Sequence, residues 1–150
     1  MAICQYAPLE IAANSGDAVL TPPIRQSIVL KASPGALFDA FLDSKEHSAL
    51  TGAPAKISRR VGAAFTAFGG ELRGRNLLIL PSRMIVQAWR SRHWKTSDPD
   101  SILVLCFARS PGGGRIDLVH LNVPAHDRKG VSQGWPKYYW KPWKKHLARA

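Results

Sequence analysis

Apolar and polar residues alternate with a period of two from 24 to 31. Ile24, Gln26, Ile28 and Leu30 share one parity, and Arg25, Ser27, Val29 and Lys31 share the other. This predicts a strand with one basic face. The period then lengthens. Ser33-Pro34 supplies an N-cap followed by proline at the first helical position, and Leu37, Phe38, Phe41 and Leu42 fall at helical spacing. A second short helix is predicted from Asp43, with Glu46 three residues on as in a capping box, stopping before Gly52. Beyond it the pattern is that of a meander. A strand ending at Phe68 meets a Gly69-Gly70 turn, and further strands are predicted over 71–80, 83–92, 102–109 and 115–123. Along 71–80, Glu71, Arg73 and Arg75 take one face, while Leu72, Gly74, Asn76, Leu78 and Leu80 take the other. Residues 131–150 return to a helical period. Trp135, Tyr138, Tyr139, Trp143, His146 and Leu147 form one broad face, with Lys137, Lys141, Lys144 and Lys145 as a stripe opposite. Pro142 should kink this helix or join two helical pieces.

The order strand, two helices, antiparallel strands, long helix predicts an α+β domain. A curved antiparallel sheet would wrap around the C-terminal helix, with two short helices after the first strand and a pocket between sheet and helix. Residues 1–23 lack a sustained period and end in Thr21-Pro22-Pro23. They read as an acidic, mobile tail, leaving 24–150 as one domain.

Composition narrows the function classes. The chain has 150 residues, 21 Lys and Arg against 10 Asp and Glu, and a net charge of +11. Such a balance first suggests nucleic acid, a membrane surface or an acidic partner. Partitioned, residues 1–23 carry Glu10 and Asp17 with no basic residue, so the remainder carries +13. The longest apolar run, 77–81, is far shorter than the roughly 20 residues of a bilayer-spanning helix, so no membrane insertion is expected. No secretory signal pattern opens the chain. Cys4 and Cys106 are the only cysteines and form neither a disulfide framework nor a zinc spacing, which predicts reduced thiols and a cytoplasmic protein.

Three separated stretches resemble one family. The string 68–76, Phe-Gly-Gly-Glu-Leu-Arg-Gly-Arg-Asn, is similar to the strand-turn-strand signature of the family named after the activator of the 90 kDa heat-shock protein ATPase. Residues 85–90, Ile-Val-Gln-Ala-Trp-Arg, and 134–140, Gly-Trp-Pro-Lys-Tyr-Tyr-Trp, resemble two further stretches of it. The resemblance covers about residues 24–148. It implies the START-like (SRPBCC, Bet v-type) helix-grip fold, whose members bind lipids, hormones and polyketides or act as enzymes. The family's eukaryotic activator carries a separate N-terminal domain that engages the chaperone; residues 1–23 occupy that place here.

If the arginine-bearing parity faces out, Gln26, Leu72, Asn76, Gln87, Trp89, Leu118 and His120 face the aromatic side of the last helix. An apolar cavity with a few polar groups is the usual form of a small-molecule site. Asn76, Gln87, Trp89, Trp94, His120, Trp135 and Tyr139 are the candidate lining. His120 is the one inward histidine of the strand pattern, and no carboxylate shares its parity, so it reads as a core or ligand-bonding group and not a general base. Neither a nucleophile elbow nor a phosphate loop is present, since Gly112–Gly114 joins two strands. Cys106 reads as a buried structural thiol. His47, His93 and His146 are scattered and suggest no role. No catalytic residue, metal or cofactor is expected. The aromatics lie opposite the lysine stripe, unlike the interleaving of a single-strand binder, so nucleic acid is not expected either. The leading expectation is non-enzymatic binding of a small, largely apolar ligand. The alternatives are a co-chaperone-like module presenting Lys137, Lys141, Lys144 and Lys145 to an acidic protein, and a cyclase- or hydrolase-like enzyme of the same superfamily.

Overall fold

The computed structural model describes residues 21–149. Six antiparallel strands form one sheet in the order β1-β6-β5-β4-β3-β2, with β1 Ile24–Leu30, β2 Ala64–Ala67, β3 Leu72–Leu80, β4 Met84–Ser91, β5 Ser101–Ser110 and β6 Gly113–Leu121. Between β1 and β2 run α1 (Pro34–Leu42) and α2 (Ser44–Thr51). The C-terminal helix comprises α3 (Arg128–Trp135), a π-turn (Pro136–Trp140) and α4 (Lys141–Ala148).

Local chemistry sets the element ends. The Ser33 hydroxyl accepts the Ala36 N–H, and the Asp43 carboxylate accepts the Glu46 N–H, so each short helix begins on a side-chain cap. Gly52 closes α2 in the left-handed conformation, φ 74°. At Gly74 a Cβ would lie 1.9 Å from the Ala88 carbonyl oxygen and 2.7 Å from the Phe65 ring. Only glycine lets that ring lie against β3, which explains its place inside the 68–76 signature.

The core lies between the inner sheet face and the helices. Leu103, Leu105, Ile116 and Leu118 from the sheet meet Phe38, Phe41 and Leu42 from α1 and Trp135, Tyr139, Trp140 and Trp143 from the C-terminal helix. No described helix is long and apolar enough to cross a membrane.

Three features depart from the sequence pattern. The β3–β4 register shifts between Asn76 and Leu78, so Leu78 pairs with Val86 and Ile79 with the inward Ile85. A bulge of this kind inserts one residue and reverses the parity after it. Leu78 and Leu80 therefore face away from the core, contrary to the alternation. Pro142 lies in the first turn of α4, at the junction of two helical pieces, and the irregularity that the pattern does not show is the π-turn just before it, in which the Lys141 N–H bonds the Pro136 carbonyl. Its extra residue turns Trp140 inward and leaves Tyr138 half exposed. Cys106, on the outer face of β5, is disulfide-bonded, so the expected thiol is absent.

The residues just before β1 bond to the rest of the fold. Thr21 Oγ1 donates to the Val123 carbonyl at 2.6 Å, and Arg128 donates to the carbonyls of Pro22 and Pro23. Residues 21–23 are thus tied to the body; the rest of the expected tail, 1–20, lies outside the described residues.

Candidate functional site

A cavity of about 490 Å³ opens between the β3–β4 end of the sheet and the C-terminal helix. Its walls are aromatic: Phe68 from the turn before β3, Trp89 from β4, Trp135 from α3, and Tyr138 and Tyr139 from the π-turn. The Trp135 ring lies 4.8 Å from Tyr139 and 6.3 Å from Trp89, and Phe68 meets Tyr139 edge-on at 5.4 Å. Glu71, His93 and Asp127 bring polar groups to the lining. Glu71 pairs with His93 at 2.8 Å, and Asp127 accepts the Trp94 indole N–H at 2.7 Å.

Local backbone chemistry places these walls. Phe68 has φ 50° and is followed by Gly69 and Gly70 at φ 65° and 98°, so the turn presents the Phe68 ring beside the cavity. The Gly69 N–H, bonded to the Pro54 carbonyl at 2.9 Å, holds it there. On the helix, Tyr138 and Tyr139, adjacent within the π-turn, both reach the lining.

Of the seven candidate lining residues, Trp89, Trp135 and Tyr139 line this cavity. Trp94 stands behind it as the donor to Asp127. The three polar candidates are buried within the core. Asn76 donates to the carbonyls of Ser58 and Arg60 and accepts from Gln87 Nε2 at 3.0 Å, tying the 58–60 segment to the sheet. His120 is fully used. The Ser101 hydroxyl donates to the Trp89 carbonyl at 2.6 Å, so His120 Nε2–H donates to Ser101 Oγ at 2.8 Å and Nδ1 accepts the Trp135 indole N–H at 3.2 Å. This fixes the Nε2–H tautomer. Burial pushes the His120 pKa down to about 3, so the ring is neutral at physiological pH. It has no spare nitrogen to take a proton from a ligand, and it orients two walls of the cavity, Trp89 and Trp135.

Two histidines without a role in the sequence pattern have one in the structure. His47 on α2 is buried; its Nδ1–H donates to the Phe41 carbonyl at 2.7 Å, and Nε2 accepts the Tyr139 hydroxyl at 2.9 Å. Burial holds the His47 pKa below its usual value and lifts that of the Tyr139 phenol far above it. The cavity wall at Tyr139 is thereby locked to α2. His93 sits in the lining, paired to Glu71. A buried side chain on a short polar helix carries no periodic signal, which is why α2 does not reveal His47.

The lysines expected as one stripe are all exposed but diverge. Lys137 lies over the Tyr138 ring at 5.0 Å. Lys141 and Lys144 line a second groove against β1, and Lys145 faces the end of α2. Among the described residues no group of three or more His, Cys, Asp or Glu side chains could hold a metal ion.

The sequence profile of the family described as activator of Hsp90 ATPase homolog 1-like protein matches residues 31–148. The chain belongs to this family. It is 28% identical over 109 residues to the human activator of 90 kDa heat shock protein ATPase homolog 1, covering 73% of this chain and 32% of the human protein. The Dictyostelium discoideum homologue is 22% identical over 105 residues, 70% of this chain and 27% of that protein. The chain thus spans a third or less of the length of these relatives. Among solved structures, an HSP90 activator from Plasmodium falciparum superposes with TM-score 0.77 at 23% identity, covering 85% of this chain and 97% of that one. A Chromobacterium violaceum protein gives 0.67 at 26% identity, covering 83% and 96%. The family's helix-grip architecture is the one described above.

Proposed function

We propose that this domain binds a small, largely apolar ligand, without catalysis, in the cavity between β3–β4 and the C-terminal helix. The observation that carries this reading is a 490 Å³ aromatic-walled space with carboxylates among its lining groups. Its volume falls in the range of drug-sized ligand sites. Trp89, Trp135 and Tyr139 would stack on the ligand, and the His120 and His47 hydrogen bonds would hold those rings in place. Mass spectrometry of the purified protein under native conditions tests this, with the Gly134→Leu variant as control. Gly134 lines the cavity, a Cβ there meets nothing closer than 3.5 Å, and leucine favours a helix over glycine by about 1 kcal/mol. The expected result is a co-purifying or added hydrophobic dye that the wild type retains and the filled variant loses while remaining folded. Equal retention by both would overturn the reading.

A second reading rests on Lys137, Lys141, Lys144 and Lys145, which are exposed and form no ion pair among the described residues. Relatives described as activators of a chaperone ATPase act on a protein. The lysine face would dock an acidic protein partner, and changing the four lysines to glutamate should abolish capture of that partner.

A further inference from the structure

The two edges of the sheet are treated differently. At β2 the edge is met by Lys56, whose backbone bridges Thr66 in antiparallel fashion. At β1, no described segment adds a backbone ladder on the side away from β6. Alternate residues of an edge strand turn their N–H and C=O groups outward, ready to pair with another chain. Beside this edge runs the second groove, about 550 Å³, lined by Gln26, Ser27 and Ile28 of β1 and by Pro136, Trp140, Lys141 and Lys144 of the C-terminal helix. One wall is strand backbone, the floor is apolar, and two ammonium groups stand on the opposite wall. The Trp140 indole N–H donates to Gln26 Oε1 at 2.7 Å and Gln26 Nε2 donates to the Ser132 carbonyl, so the spacing between strand and helix is fixed.

We infer that this groove binds an extended acidic segment of a partner protein, which adds as a seventh strand to β1 and sets its carboxylates against Lys141 and Lys144. The inference rests on the partner reading above and supplies its docking mode. Backbone pairing to β1 supplies affinity, and alternation of side chains supplies selectivity. Residues of one parity would cover Ile28, Pro136 and Trp140. Charge decides among occupants. Residues 128–149 carry no acidic side chain, and β1 adds Arg25, so an acidic strand is attracted. A second copy pairing through its own β1 would bring Arg25 and both lysines of each copy together and is repelled.

The test uses the full chain and a fluorescein-labelled seven-residue peptide alternating Val and Glu, matched to the seven residues of β1. Fluorescence anisotropy should report binding that the Lys141→Glu/Lys144→Glu variant weakens by about tenfold or more, while reversing the exposed lysines away from the groove, Lys45→Glu/Lys95→Glu, changes it by about twofold or less. A peptide N-methylated on alternate backbone nitrogens, and a Val-Lys peptide, should not bind. Amide resonances of Ile24–Leu30 should shift on titration, and Gly134→Leu should bind as the wild type does. Undiminished binding of the N-methylated peptide would overturn strand addition while leaving a charge-only partner surface. No binding of the Val-Glu peptide, with no loss of partner capture on reversing the lysines, would overturn both. Protection of β1 amides in the free chain that vanishes in Glu10→Lys/Asp17→Lys would assign the groove to residues 1–20 and overturn the inference. Protection that depends on protein concentration would assign it to a second copy and do the same.

Discussion

His120 and His47 are both buried and neutral, and each is bonded at both ring nitrogens to a different part of the fold. Their depressed pKa values carry a consequence for stability. Native His120 stays unprotonated down to pH of about 3, whereas the unfolded side chain takes up a proton near its ordinary value of 6.5. Between those limits the unfolded state binds more protons, so acid favours unfolding. For His120 the stabilisation is full above pH 6.5 and is lost as pH falls towards 3, by up to about 1.4 kcal/mol per pH unit. Urea denaturation across pH 4.5–7.5 should show this slope, and His120→Gln should reduce it even if it lowers stability throughout; an unchanged slope would place the proton uptake elsewhere. Trp135→Phe separates the hydrogen bond from the ring. It keeps most of the apolar surface but leaves His120 Nδ1 without its donor, at a cost of about 1–3 kcal/mol in the same assay. A cost near zero would show that a water or ligand replaces the indole N–H.

At the level of elements, the π-turn is the feature on which both sites depend. Tyr138 and Tyr139 face the cavity, Pro136 and Trp140 face the β1 groove, and the extra residue allows both. Pro142 supplies a local reason, since it has no N–H and its ring crowds the carbonyl four residues before it. Lys137 is exposed within the turn, so Lys137→Ala should change stability by about 0.5 kcal/mol or less. Deleting Lys137 should instead restore a regular helix that cannot bury both Tyr139 and Trp140, costing several times more in thermal denaturation. Equal effects would mean that α4 re-docks without the extra residue. The strands, both capped helices and the long aromatic helix were legible from spacing, because period and capping chemistry are local. The β3 bulge and the π-turn were not, because each shifts the period by one residue and the pattern on either side still looks regular. Sequence spacing therefore placed Leu78 on the wrong face and missed the inward Trp140. Trp89, Trp135 and Tyr139 of the cavity were legible as periodic positions, whereas Trp94 stands outside the lining and the polar candidates are bonded inside the core, Asn76 to Gln87 and His120 to Ser101 and Trp135.

For the whole molecule, the net charge of +11 is a standing cost. Excess charge of one sign repels itself and weakens the compact state, an effect that salt screens as the Debye length falls from about 30 Å at 0.01 M to about 3 Å at 1 M. The described ion pairs engage Arg59, Arg90, Arg92 and Arg115, but none of the four lysines of the C-terminal helix. Those lysines are therefore charges held for something other than folding. Lys141→Glu/Lys144→Glu should raise the melting temperature at low salt by about 1–3 °C, because like-charge neighbours at helical spacing oppose the fold by a few tenths of a kcal/mol each. The gain should shrink as sodium chloride rises and vanish near 1 M. Melting curves of wild type and variant across that series separate two explanations of the basic surface. A variant that melts lower at every salt concentration would make the lysines part of the fold's own support. A variant that melts higher only at low salt would mean the chain keeps a destabilising surface, as expected of one whose compensation comes when an acidic segment covers it.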